Sequence, residues 1–168
     1  AETAHRHDEE LEEAICEMFA FKGSVACDYG CGQGKYVLAL RRYSDVSAIG
    51  YEGTSSFNGL NADLSSDDFI SIPCNFALCL EVGEHIPTEF QDVFLDNVTH
   101  NVRETIVLSW ALPGQGGDGH VNELPEDVVI AEMRKRGFRK DDGLTRKLRL
   151  RASLPWFKKT INVYHRIR

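Results

Sequence analysis

Apolar and polar positions along the chain alternate between two periods. Leu11, Ala14, Ile15 and Met18 recur at i, i+3, i+4 and i+7 with glutamates on the other face, which predicts an amphipathic helix over 8–20. Short apolar and β-branched runs predict strands at 24–29, 47–51, 75–80 and 104–109, and the intervening segments predict helices at 34–43, 88–98 and 125–136. The last helix is punctuated at both ends. Pro125 suits its first position, Glu126 and Asp127 face the positive end of the dipole, Arg134, Lys135 and Arg136 face the negative end, and Gly137 is the stop. Between Glu52 and Asp63 there is too little chain for a crossover helix and a full strand. An irregular or helical piece at 54–60 and a brief edge element near 60–63 are expected there, a truncated part of the sheet. Beyond Gly137 the pattern changes to Phe138-Arg139, a charged stretch with a short helix at 144–153, and an alternating run over 160–165. Strands alternating with helices imply an α/β fold, a mostly parallel central sheet with helices on both faces.

Chemistry enters at the first strand. Ser24 to Tyr36 reads S-V-A-C-D-Y-G-C-G-Q-G-K-Y, a strand breaking into Gly30, Gly32 and Gly34 at the start of a helix. Such a turn brings backbone N–H groups close to a ligand, although plain structural loops share the pattern. The continuation is more specific. A second strand ends in Glu52, about 20 residues beyond the glycines, where a carboxylate can accept both hydroxyls of a ribose. Asp63-Leu64 then forms a third acidic turn. The G-x-G-x-G spacing differs from the dinucleotide G-x-G-x-x-G, and no lysine stands in Walker-A position.

The ordered series Asp28-x-Gly30-x-Gly32-x-Gly34, Glu52, Asp63-Leu64 and Cys79-Leu-Glu-Val-Gly-Glu-His-Ile-Pro87 resembles the class I S-adenosylmethionine-dependent methyltransferases, from about Val25 to Phe138. That resemblance implies a Rossmann-like methyltransferase fold whose last two strands form an antiparallel C-terminal pair, with S-adenosylmethionine as cofactor. It assigns Asp28 to the glycine turn and the cofactor's amino group, Glu52 to the ribose, Asp63 and the Leu64 backbone to adenine, and Glu81 to the wall of the cofactor pocket. Glu84 and His85 would face the methyl group and act on the acceptor. Similar E-x-x-E-H segments serve either as a base or as ligands to a divalent metal. His120, at the far end of a glycine-rich loop rooted on Trp110, would lie on the acceptor side with that tryptophan. The two histidines are closer in sequence than expected for the metal-binding small-RNA enzymes, so no bound metal is expected. The loop itself, with four glycines in six residues, is expected to be mobile.

Length and composition bound these readings. A chain of 168 residues with 42% hydrophobic and 27% charged residues suits one packed core. The expected layout is a single domain, 1–168: the helix at 8–20, a cofactor-binding core at 24–138 and a basic strand region at 139–168. No apolar stretch has the ~18–20 residues a membrane span needs, and no signal-peptide core is seen, so a soluble intracellular protein without a membrane partner is expected. Five cysteines without C-x-x-C pairing read as reduced thiols. The net charge of −7 hides an asymmetry: residues 134–168 hold 13 Lys/Arg against two acids, whereas residues 1–133 hold six against 24. Such a split either neutralises itself across the folded surface or marks an anionic partner. Two acceptors stay open. The E-x-x-E-H segment favours a small metabolite, and the basic segment, with Trp156 and Phe157 beside Lys158 and Lys159, favours RNA. A catalytically silent cofactor-binding module is the third reading.

Overall fold

A computed structural model describes residues 6–43, 45–54 and 59–168. Strands β1 (Val25–Tyr29), β2 (Ser47–Glu52), β3 (Gly59–Asn61), β4 (Cys74–Cys79), β5 (Val102–Ser109), β6 (Phe138–Lys140) and β7 (Ile161–Arg166) form one sheet among the described residues, in the order β3-β2-β1-β4-β5-β7-β6. The first five are parallel, and β7 lies antiparallel between β5 and β6. This is the Rossmann-like arrangement with a C-terminal antiparallel pair that the sequence led us to expect.

Two cores follow from the strand period. On one face, Ala26, Phe76, Leu78, Val107 and Val163 pack under helices α1 (Glu9–Phe19), α2 (Lys35–Tyr43), α5 (Asp142–Arg151) and α6 (Phe157–Thr160). On the other, Cys27, Tyr29, Ile106, Leu108 and Tyr164 pack under α3 (Gln91–Thr99) and α4 (Glu126–Lys135). Neighbours such as Ile106 and Val107 point to opposite faces and both are fully buried, which is why the central strands read as unbroken apolar runs. All five cysteines are buried, and none forms a disulfide.

Several boundaries move for local reasons. The helix expected at 88–98 opens with a 3-10 turn, Thr88–Phe90, before α3 begins. The expected edge element is β3, parallel to β2. Most of the piece expected at 54–60 lies outside the described residues. Helix α5 starts before residue 144 because Asp141 caps it, accepting from Leu144 N at 2.8 Å and pairing with His165 at 3.0 Å.

Asp8 ties the two ends of the fold together. Its fully buried carboxylate caps α1 through Leu11 N and also accepts from Ser153 N, Ser153 Oγ and Leu154 N, just beyond α5. Burial alone would raise its pKa, and these hydrogen bonds more than offset it, leaving the acid below its ordinary range. Helix α1 is thereby held beside α2, where Tyr36 Oη reaches Asp8 O at 3.5 Å.

Candidate functional site

The carboxyl ends of β1, β2, β4 and β5 share one rim, because these four strands are parallel. Gly30, Gly32 and Gly34 follow β1 with φ of 79°, 53° and 75°, in the left-handed region that residues with a side chain rarely adopt. Tyr51 O accepts from both Gly30 N (2.7 Å) and Cys31 N (3.0 Å), which pins the turn to β2. Glu52 folds back onto the same turn: one carboxylate oxygen accepts from Gly32 N at 2.7 Å, the other from Thr54 N and Oγ1. The acid that the resemblance gives to a ribose therefore also braces the glycine turn.

Beneath it lies Asp28, only 3% exposed, with Oδ2 lacking any hydrogen-bond partner. Burial, and secondly the charge of Glu52, push its carboxyl up to about 7. A buried carboxylate oxygen without a donor is costly unless a ligand supplies one. Asp63 is more exposed and ties its own turn through Ser65 N (2.9 Å) and Ser65 Oγ (2.6 Å). The Leu64 side chain is buried, and its carbonyl accepts from Asn97 Nδ2 at 2.8 Å.

Past β4 the backbone turns sharply. Glu81 has φ 59°, the one positive value at a non-glycine among the described residues. Ser109, at the end of β5, holds it from both sides, accepting from Glu81 N at 2.8 Å and donating to Glu81 Oε1 at 2.9 Å. Strained backbone maintained by neighbouring strands is a hallmark of binding sites. The twist launches a single 3-10 turn, Gly83–His85, with Glu84 pointing inward. Glu84 is fully buried, and neither carboxylate oxygen has a partner. Burial first, then the charge of Glu81, push this acid up to about 8.

The loop after β5 brings His120 to the same place. His85 and His120 meet edge to face with centroids 5.0 Å apart, and ligand atoms of Glu84, His85 and His120 all lie within 4.8 Å of one another. His85 Nδ1 sits 3.1 Å from Gly119 O and His120 Nδ1 sits 3.0 Å from Glu123 Oε1. With acceptors at both Nδ1 positions, each neutral imidazole carries its lone pair on Nε2.

One expectation needs correction, and the glycine-rich loop carries more bracing than its composition suggests. The loop expected to be mobile is cross-braced by Glu123, which accepts from Gly114 N and Gly116 N, both at 2.7 Å, as well as from His120. Glu84 O also accepts from Val121 N and Asn122 N. Trp110, expected on the acceptor side, is instead buried to 3% exposure, packs on Phe94 and donates Nε1 to Asn122 O at 2.7 Å. Its ring lies so close to Gly83 that any Cβ there would collide with it. An indole gains more from burial with one satisfied N–H than from lining an open rim, so Trp110 supports the Glu84 turn from below. Glu123 carried no sequence signal, since a lone acid three residues after a histidine has no motif.

The basic segment is also partly spent within the molecule. Arg136, Lys140, Arg149 and Arg151 pair with acids from elsewhere in the fold, and Lys135 pairs with Glu132 on its own helix.

No protein-family profile and no curated protein matches the chain. Solved structures do. Magnesium protoporphyrin IX methyltransferase from Synechocystis PCC 6803, crystallised with SAH, is 16% identical with a TM-score of 0.67, covering 95% of this chain and 80% of its own. A TehB-like SAM-dependent methyltransferase from Corynebacterium glutamicum is 12% identical with a TM-score of 0.70, covering 95% and 88%. The 1,6-didemethyltoxoflavin-N1-methyltransferase of Burkholderia thailandensis is 12% identical with a TM-score of 0.68, covering 95% and 79%. The fold is that of the SAM-dependent methyltransferases. On this methyltransferase fold, Asp28, Glu52, Glu81, Glu84, His85 and His120 share the rim of the sheet, as expected for a ligand site at the strands' carboxyl ends. Among the described residues no helix is long and apolar enough to cross a membrane.

Proposed function

We infer that this protein is an S-adenosylmethionine-dependent methyltransferase acting on a hydroxyl or amine of a small metabolite. The observation that carries the reading is Glu84, a fully buried carboxylate with no partner, set just beyond β4 beside two histidines. Asp28 pairs with the cofactor's ammonium, Glu52 accepts the ribose hydroxyls with its remaining lone pairs, Asp63 and Leu64 flank the adenine, and Glu81 lines the pocket. Methyl transfer is an in-line displacement: the acceptor's lone pair forms the new bond to carbon as the sulfonium bond breaks, and S-adenosylhomocysteine leaves. Glu84, oriented with His85, takes the acceptor's proton. Alignment and proton removal are the parts of this chemistry left to the protein.

Calorimetry with S-adenosylmethionine, followed by release of S-adenosylhomocysteine against small hydroxyl and amine acceptors, cap analogues and RNAs, tests this. Binding with turnover of a small acceptor is the expected result. Turnover on RNA alone moves the acceptor to nucleic acid, and binding without turnover on any arm makes the protein a silent cofactor-binding module.

The three-donor cluster favours a second reading of the same site. Glu84, His85 and His120 suit a first-row divalent ion such as Zn²⁺ or Mn²⁺ better than Mg²⁺, because two donors are imidazoles. The unpartnered Glu84 carboxylate fits such a charge, and Glu123 behind His120 is the usual carboxylate support of a ligating histidine. When bound, an ion there would lower the pKa of an acceptor hydroxyl. Equilibrium dialysis with Zn²⁺ and Mn²⁺ should then show one bound ion that His120→Ala loses. If the wild-type protein retains no metal, Glu84 and His85 act as base alone.

A further inference from the structure

A groove outside the candidate site lies between α5, α6 and the edge of β6. It holds about 500 Å³ and is lined by Lys140, Asp142, Thr145, Arg146, Arg149, Leu150 and Lys158, within the size range of small-molecule sites. Four cations face it. Arg149 is fixed by Ile161 O (2.9 Å), Asn162 Oδ1 (2.9 Å) and Glu126 Oε1 (2.6 Å), and Lys140 reaches Glu126 and Asp142, each at 3.3 Å. Arg146 and Lys158 make no ion pair among the described residues. Of the four cations, Glu126 and Asp142 pair only with Lys140 and Arg149, so the groove keeps an excess of two positive charges, the complement of a phosphate dianion. Arginine's planar fork suits phosphate oxygens, and a lysine adds a point charge.

The groove is built into the frame of the rim. Ile161, whose carbonyl fixes Arg149, pairs across the sheet with Ser109, and Ser109 holds Glu81. Glu126, which bridges Arg149 and Lys140, begins α4 three residues after the Glu123 brace. Leu150, 75% exposed, adds an apolar wall beside Arg146 for the body of a ligand.

We propose that the α5–α6 groove binds the phosphate of a phosphorylated small molecule, with Arg146 and Lys158 as its principal contacts. Phosphate binding in this groove does not rest on the methyltransferase reading. Titrations with inorganic phosphate, pyrophosphate, a nucleoside 5′-monophosphate and a short RNA, followed by NMR or calorimetry without cofactor, separate the cases. Wild-type protein should bind the small phosphates. The double variant Arg146→Gln with Lys158→Gln should lose ~10–150-fold in affinity, the value of a charge-assisted contact. Both side chains are exposed, and an unchanged circular dichroism spectrum and an unchanged S-adenosylmethionine affinity would show the variant intact. Absence of phosphate binding in the wild type, or equal binding by the double variant, overturns the site. RNA binding much tighter than the monophosphate, falling by about 0.7 log units per phosphate contact per log unit of salt, replaces the small molecule with nucleic acid. Phosphate binding that survives a failure to bind S-adenosylmethionine leaves this site standing and removes only the methyltransferase reading.

Discussion

Glu84→Gln should lower turnover ~10²–10⁴-fold, the usual loss for an acid–base group, while cofactor affinity stays near that of the wild type. The substitution is nearly isosteric, and neither carboxylate oxygen of Glu84 holds a hydrogen bond. The backbone carbonyl that accepts Val121 N and Asn122 N is untouched, so the loop bearing His120 keeps its anchor. The variant should therefore fold and bind cofactor with the reacting proton stranded on the acceptor. Single-turnover measurements with saturating S-adenosylmethionine read the chemical step directly. Persistence of wild-type turnover would take Glu84 out of the reaction, as for an acceptor nitrogen with its lone pair already free.

Glu52→Ala should weaken S-adenosylmethionine binding ~10–150-fold, the range for a lost hydrogen bond to a charged group. Two physical losses combine in that figure. The ribose hydroxyls lose their acceptor, and the glycine turn loses the brace through Gly32 N and Thr54. A pH signature accompanies the change. Burial, and secondly the Glu52 charge, raise the Asp28 carboxyl to about 7, and the cofactor's ammonium pairs with its ionised form. Affinity should thus rise with pH through about 7, and the rise should begin at lower pH once Glu52 is gone. In the free protein the sign is opposite for stability. An acid whose folded pKa is raised contributes stability below its ordinary range and loses it as pH rises toward 7. Calorimetry at several pH values with Glu52→Ala and Glu52→Gln checks both. Unchanged affinity in a folded alanine variant would place the ribose elsewhere.

The order of the main strands and helices was readable in the sequence because the longer elements carry their own period, 3.6 for Leu11, Ala14, Ile15 and Met18 and continuous apolar runs for strands buried on both faces, whereas the four-residue α6 was not. The glycine turn was readable for a related reason, since three glycines two residues apart mark a backbone at positive φ that residues with a side chain rarely adopt. Asp28, Glu52, Glu84 and His85 stand next to those local signals and were visible with them. What the sequence could not carry was any contact between distant segments. The clamp of Asp8 on residues 153 and 154 and the Glu123 brace each join stretches with no shared pattern. Burial decided the rest. Trp110 went inward because packing under Gly83 outweighs exposure, and four cations of the basic C-terminal segment pair with acids elsewhere in the fold, leaving Arg146 and Lys158 to set the charge of the α5–α6 groove. Local sequence determines which backbone each segment prefers, whereas the pairing of charges and the burial of polar groups depend on three-dimensional proximity, which only the packed sheet establishes.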